Sequence, residues 1–146
     1  MGFRIVKVTN NDDLKKCLEI REKVFIEEKN VPRDIENDGF DCMREDCEHF
    51  IVYSGSVPAG TVRMRFIDES TVRLQRFCFL KEYRGLGLGS KTVEFVEKRY
   101  KEKGIKKIVI EAKYAVSPFY EKCGYKTVSG IFLEVGVEHV NMEKEL

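Results

Sequence analysis

The apolar residues of this chain repeat with two different periods, and these periods predict strands and helices in a regular order. Residues 3–9, FRIVKVT, alternate apolar and polar side chains and are rich in β-branched residues, so they predict a first strand. Residues 10–29 begin with asparagines and aspartates that favour a helix N-terminus, and their apolar positions then recur at helical spacing. Residues 30–47, with a proline, a glycine and many acids, predict a long loop or broken helix.

The second part of the chain predicts a β-rich pattern with one long helix. Residues 49–67 predict two strands joined at Gly55-Ser56, and residues 70–80 predict another strand with an apolar end. Residues 90–104 predict an amphipathic helix that ends at a C-cap glycine. A buried strand (105–112), a short helix (116–124) and a pair of terminal strands (125–146) follow. The strands on either side of the long helix form one βαβ unit, for which parallel pairing is expected.

Length and composition predict one domain spanning residues 1–146. The 26 lysines and arginines nearly balance 25 aspartates and glutamates, so no net field favours nucleic acid or a membrane surface as a partner. The five cysteines are odd in number and scattered, which favours free thiols over a zinc set and predicts a reducing compartment. No apolar run is typical of a leader peptide or a membrane span, so we expect a soluble, cytoplasmic protein without a metal.

The stretch EYRGLGLGSKT, residues 82–92, is the strongest candidate for a ligand site. It joins a strand to a helix, and the free N–H groups and partial positive charge of a helix N-terminus attract an anion. A nucleotide-binding Walker A loop would need a glycine where Ser90 stands. A dinucleotide fingerprint would use Gly85, Gly87 and the downstream Glu111, but too few βα units follow. A glycine-rich turn without a ligand is the remaining alternative.

Two signatures in the correct order give this loop a further interpretation. The stretch RGLGLG, residues 84–89, resembles the (Arg/Gln)-x-x-Gly-x-(Gly/Ala) loop of the GNAT superfamily of N-acetyltransferases, and AVSPFYEKCGYKTV, residues 115–128, resembles its next signature. Residues 21–41, His49 and the ending VGVEHVNMEKEL resemble the ElaA/YjcF-like branch. The resemblance implies an α/β fold, with a mixed central sheet flanked by helices and splayed after the strand ending at Leu80 to admit acetyl-CoA.

The resemblance also implies N-acetyl transfer from acetyl-CoA to an amine, directly within a ternary complex. It places Tyr120 as the general acid for the leaving thiolate, although the helical spacing around Tyr120 is equally typical of a core. Lys113 stands where many relatives carry Asn or Gln. The implied cofactor-binding residues are Cys78, Phe79, Leu80, Arg84, Gly85, Leu86, Gly87, Leu88, Gly89, Ser90 and Lys113.

The general base and the acceptor are less well defined by the sequence. The candidate bases are Glu36, Asp38, Asp41, Glu48 and Glu111, and the candidate substrate-binding residues are Glu36, Asp38, His49 and His139. The acid-rich segment 34–41 favours a small cationic amine, although a peptide amine is also compatible with the pattern. The main alternative to an acetyltransferase is a CoA-binding module without catalysis, and Lys113 is the residue that favours this alternative. A nucleotide- or dinucleotide-binding protein is the third function considered. A monomer or a homodimer is expected, since residues 131–142 could pair across subunits.

Overall fold

Residues 2–146 are described by a computed structural model, in which one mixed sheet separates two layers of helices. The strands are β1 (Phe3–Lys7), β2 (Cys47–Ser54), β3 (Val57–Phe66), β4 (Thr71–Phe79), β5 (Lys107–Lys113), β6 (Lys126–Thr127), β7 (Phe132–Glu134) and β8 (Val137–Glu145). The helices are α1 (Asn11–Arg21), α2 (Arg33–Glu36), α3 (Leu88–Glu102) and α4 (Ser117–Lys122). A π-helical segment, Glu22–Glu28, continues α1.

Most of the predicted elements are confirmed, and their ends have the expected caps. The side chain of Asn10 accepts a hydrogen bond of 2.8 Å from the N–H of Asp13, which begins α1. Gly104, with φ of 86°, follows the end of α3. The C-terminal part differs, because it contains three strands where a pair was predicted. The backbones of Val135 and Gly136 both have positive φ (51° and 74°), and this tight turn folds β7 back onto β8.

The sheet has the order β1-β2-β3-β4-β5-β8-β6, with β7 also paired to β8. All neighbouring pairs are antiparallel except β4 and β5, which are parallel as predicted. Side chains alternate between the two faces of each strand. Phe50 therefore packs with Tyr100 of α3 in the main core, whereas Ile51 packs with Leu14 and Cys17 of α1. Within residues 2–146, no helix has both the length and the apolar character needed to cross a membrane.

The two parallel strands separate before they end, and this opening positions the candidate site. The pairing of β4 with β5 runs from Thr71 opposite Lys107 to Leu74 opposite Ile110 and then stops. The register of β3 with β4 shifts at the same level, where Arg76 has φ of 51°. A bulge of this kind bends a strand away from its neighbour. The opening therefore begins inside β4 at Leu74, not after Leu80 as the sequence analysis expected.

Candidate functional site

The glycine-rich loop ends in unsatisfied backbone donors at the start of α3. Gly85 and Gly87 have φ of 75° and 78°, a left-handed conformation in which glycine carries no steric penalty. The N–H of Lys91 donates to the Gly87 carbonyl at 3.4 Å, so the preceding N–H groups of residues 88–90 have no partner within the helix. Free N–H groups next to a left-handed turn form a concave site for an anion such as a phosphate.

Arg84, a predicted cofactor-binding residue, has its charge engaged within the protein. Its two terminal nitrogens donate to both carboxylate oxygens of Glu28 at 2.7 Å, and its Nε donates to the Phe79 carbonyl at 2.9 Å. These hydrogen bonds from Arg84 lower the pKa of Glu28 to about 2. The loop is thereby tied to the end of the π-helical segment. The sequence analysis missed Glu28, since no local pattern connects it to a loop 56 residues away.

Of the predicted cofactor-binding residues before the glycine-rich loop, Cys78, Phe79 and Leu80, only Phe79 turns its backbone toward the opening. The N–H of Leu80 donates to the Ala59 carbonyl at 2.8 Å, and Cys78 lies opposite Thr61 of β3. Backbone groups alternate in direction along a strand, so Cys78 and Leu80 direct their donors toward β3. The N–H of Phe79 points the other way, into the gap between β4 and β5.

Tyr120 lies on α4 in an aromatic row that leads back to the glycine loop. Its ring centroid is 5.1 Å from that of Phe119, which is 6.2 Å from that of Phe77 on β4. A Cβ on Gly89 would lie 3.2 Å from the Phe119 ring, so a glycine there allows α3 to approach α4 closely. Tyr120 is 7% exposed, and burial followed by the neighbouring Cys123 raises the pKa of its hydroxyl. The phenol therefore stays protonated and can act as a proton donor.

A cavity of about 420 Å³ lies at the opening on the side of the sheet that carries α1 and α2. It is on the opposite face from α3, because Ile110 and Ala112 of β5 pack in the α3 core and the intervening Glu111 and Lys113 point away from it. Among the residues predicted from sequence, the cavity brings together Glu36, Asp38, Glu111, Lys113 and His139.

Three of the four acidic residues of segment 34–41, namely Glu36, Asp38 and Asp41, are paired with arginines. Glu36 is buried and pairs with Arg21 and Arg76 at 2.7 Å each, and Asp41 pairs with Arg21 at 2.6 Å. Further ion pairs complete what we call the ionic cluster, whose members are Arg21, Glu36, Asp38, Asp41, Arg63 and Arg76. Burial alone would raise the pKa of the two aspartates, but hydrogen bonds from Arg63 and Arg21 outweigh it and lower both pKa values. These carboxylates are therefore weak proton acceptors.

Glu48 and His49 lie away from the cavity. Glu48 accepts a hydrogen bond of 2.6 Å from the Tyr100 hydroxyl, and Tyr100 is roughly 18 Å along α3 from Leu88. The Nε2 of His49 lies 3.0 Å from the Phe40 carbonyl, and burial lowers the pKa of this histidine. Neither residue lines the cavity, but His49 lies opposite Arg63 of β3 and therefore borders the ionic cluster, whereas Glu48 faces α3.

Glu111 has an acidic neighbour in the cavity that the sequence analysis missed. Glu134, the last residue of β7, lies within hydrogen-bonding reach of Glu111. Burial first, and then the hydrogen bond and charge of Glu111, raise the pKa of Glu134. A second negative charge beside Glu111 is unfavourable, so Glu134 keeps its proton to higher pH than an isolated glutamate would. We call Glu111 and Glu134 the carboxylate pair; the only sequence signal for Glu134 was its position beside a tight turn.

Comparison with known proteins decides the family. The family model described as the acetyltransferase (GNAT) domain matches residues 21–146. This chain belongs to the GNAT family. The GNAT chain is 34% identical over 144 residues to the uncharacterized N-acetyltransferase YjcF of Bacillus subtilis (strain 168), covering 98% of this chain and 100% of that one.

Solved structures show the same fold for this GNAT domain. The crystal structure of Escherichia coli ElaA superposes with a TM-score of 0.86 at 21% identity, covering 99% of this chain and 100% of that chain. An aminoglycoside 6′-N-acetyltransferase complexed with coenzyme A superposes with a TM-score of 0.78 at 14% identity, covering 99% and 97%. The predicted family, fold class and enzyme class are thus confirmed: the protein is an acetyl-CoA-dependent N-acetyltransferase.

Proposed function

We propose that this acetyltransferase moves the acetyl group directly from acetyl-CoA to an amine bound in the 420 Å³ cavity. The observation that carries the proposal is the gap between β4 and β5, which has the glycine-rich loop on one side and the cavity on the other. In this arrangement the amine nitrogen forms a bond to the thioester carbonyl carbon, and the carbon–sulfur bond breaks. The sulfur takes up a proton from Tyr120, and the amine loses one to the carboxylate pair.

The backbone of the loop and of β4 supplies the binding and polarising donors. Acetyl-CoA brings the reactive thioester and a pyrophosphate. The N–H groups of residues 85–90 are placed to bind the pyrophosphate, with the positive end of α3 behind them. The N–H of Phe79 is placed to donate to the thioester oxygen, where negative charge develops during attack. In this proposal Arg84 positions the loop through Glu28 and does not contact phosphate through its side chain.

No cysteine side chain is suited to form an acyl-enzyme at the opening. Cys78, the cysteine on β4, is buried, and burial raises the pKa of its thiol to about 12. The thiolate is the nucleophilic form of cysteine, and a thiol with such a pKa supplies almost none of it near neutral pH. This supports direct transfer to the amine.

A thermal-shift experiment tests the cofactor assignment. At about 100 times its Kd, a ligand stabilises a protein by about 2.7 kcal/mol, which at this size is a shift of roughly 5 to 10 °C. We expect that shift with acetyl-CoA and not with NAD or ATP. Gly87→Val, which forces a branched side chain to φ of 78°, should reduce the shift by at least half.

Gly39→Ala provides the matched control, because Gly39 lies in an exposed loop with open space around its Cβ position. A shift with NAD or ATP alone would overturn the proposal. Acetyl-CoA binding without acetylation of any amine would instead indicate a CoA-binding module.

We propose the carboxylate pair as the general base. Burial, and then the neighbouring Glu111, raise the pKa of Glu134, so Glu134 is protonated in acid and becomes a proton acceptor as the pH rises through its pKa. We expect kcat/KM to rise with pH along this limb. Glu134→Gln removes the carboxylate whose pKa is raised, so this limb should disappear and activity should fall about tenfold or more. An acid limb that stays in place in this variant would contradict the assignment.

A further inference from the structure

Two lysines, Lys29 and Lys113, line the acceptor cavity. Lys113 extends from the end of β5 into the cavity and is half-buried, and no ion pair involving it is found in the described part of the chain. Lys29 lies 3.4 Å from Glu28, but Glu28 already accepts hydrogen bonds from Arg84 with both oxygens. Burial, and then the charge of Lys29, lower the pKa of Lys113. Two ammonium groups held near each other in a partly buried site are stabilised by an anion.

Among the other charged groups of the cavity, the carboxylate pair is the acidic group that remains to bind a ligand. Arg76 is paired with Glu36 at 2.7 Å, so neither is available to a ligand. Arg73, which also lines the cavity, makes a long contact of 3.7 Å with Glu111 of the carboxylate pair. Glu134 forms no ion pair within residues 2–146, and its charged neighbour in the cavity is Glu111.

The two poles of the cavity are adjacent on one strand. Glu111 and Lys113 are two residues apart on β5 and point to the same face, so their Cα atoms are about 7 Å apart. The basic cavity side chains Lys29, Arg73, Arg76 and Lys113 equal in number the acidic Glu36, Asp38, Glu111 and Glu134. The charges of the cavity side chains thus sum to zero, but Glu111 provides a negative end and Lys113 a positive end that are about 7 Å apart along β5.

We propose that the acceptor of this acetyltransferase is a small amine that also carries an anionic group, which binds between Lys29 and Lys113 while the amine lies at the carboxylate pair. The ligand class is amino acids and aminoalkyl phosphates. This inference rests on the proposed function, because it assigns the acceptor of the same site. It also replaces the small cationic acceptor expected from segment 34–41, whose carboxylates are paired with arginines in the ionic cluster. A polyamine would bring a second positive charge toward the two lysines.

Matched pairs of acceptors test the anionic group. L-leucine is compared with 3-methylbutylamine, which lacks only the carboxylate, and 2-aminoethyl phosphate is compared with ethanolamine. The N-acetyl product is measured by mass spectrometry, because the exposed thiol of Cys42 would react with thiol reagents used to detect free CoA. We expect kcat/KM at least about tenfold higher for the anionic member of one pair, since a charge-assisted contact discriminates by about that factor. The pair that shows it distinguishes a carboxylate from a phosphate.

Lys113→Gln tests the residue that the inference depends on. We expect it to raise KM for the anionic acceptor about tenfold and to remove the preference within the pair, with the Kd for acetyl-CoA unchanged by calorimetry. The control is Lys126→Gln, since Lys126 is exposed on β6 and does not line the cavity.

The possible failures are distinguishable. If the wild-type protein does not bind acetyl-CoA, the proposed function itself fails. If it binds acetyl-CoA but acetylates the simple amines equally well or better, only this inference fails. It also fails if no anionic acceptor is acetylated or stabilises the CoA-loaded protein. A third outcome would overturn it as well: Lys113→Gln weakens acetyl-CoA binding about tenfold and leaves the acceptor preference intact. That result would assign Lys113 to the cofactor.

Discussion

Replacing Tyr120 by phenylalanine should lower kcat by about a hundredfold or more, the usual contribution of a positioned general acid. Its phenol is buried and protonated, and it lies on the aromatic row that joins α4 to the opening between β4 and β5. Without this proton the sulfur would leave as a thiolate, which is a less stable product. Because the variant removes one oxygen atom and keeps the ring, we expect the Kd for acetyl-CoA and the folding stability to change little. Steady-state kinetics at saturating acetyl-CoA and calorimetry measure the two quantities separately.

Tyr125→Phe is the matched control for this prediction. Tyr125 is also buried, and its ring centroid lies 6.0 Å from that of Tyr120. It belongs to the core under α3 and α4, so its hydroxyl has no role in the proposed transfer. We expect Tyr125→Phe to keep kcat within about twofold of the wild type. If both variants lost activity equally, or if Tyr120→Phe kept the wild-type kcat, Tyr120 would be a packing residue.

Replacing Arg21 by methionine should lower the free energy of unfolding by about 3 to 5 kcal/mol, a large part of the 5 to 15 kcal/mol typical of a domain. Arg21 is 1% exposed and binds Glu36 and Asp41 with hydrogen bonds of 2.6 to 3.0 Å. Methionine fills much of the same space but leaves the buried Glu36 with a weaker set of partners. Removing one member of a buried ion pair is more costly than never having had the pair. Urea denaturation measures the change.

Arg44→Gln is the comparison for this stability prediction. Arg44 makes a bidentate pair with Asp46 of 2.8 and 2.9 Å, but the two side chains are 39% and 48% exposed. Water solvates exposed charges after the pair is broken, so we expect no measurable change in stability. A similar effect of the two substitutions would mean that the ionic cluster is no more important to the fold than a surface ion pair.

The cluster also forms one wall of the cavity, so Arg21→Met should raise the acceptor KM.

The sequence predicted the parts of the site that depend on short stretches of chain. The glycine-rich loop, the helix after it and Tyr120 were found from spacing and from resemblance. The position of Glu28 and Glu134 was not predicted, because each acts on a residue distant in sequence. Of the acids of segment 34–41, Glu36 and Asp38 line the cavity, and both of them and Asp41 are paired with arginines. Their arginine partners come from α1, β3 and β4, and no local pattern links these elements to the segment.

The sequence by itself determined the order of strands and helices, the glycine turn, the family and the enzyme class. The elements and the turn follow from side-chain periods and backbone preferences that act over a few residues, whereas the family and the enzyme class were implied by the resemblance of two motifs. Only the tertiary structure decided that the sheet opens at Leu74, that Arg84 binds Glu28, and that Lys113 lines the cavity at this opening. The physical reason is that charge pairing and strand divergence depend on which distant residues the fold brings within a few ångströms.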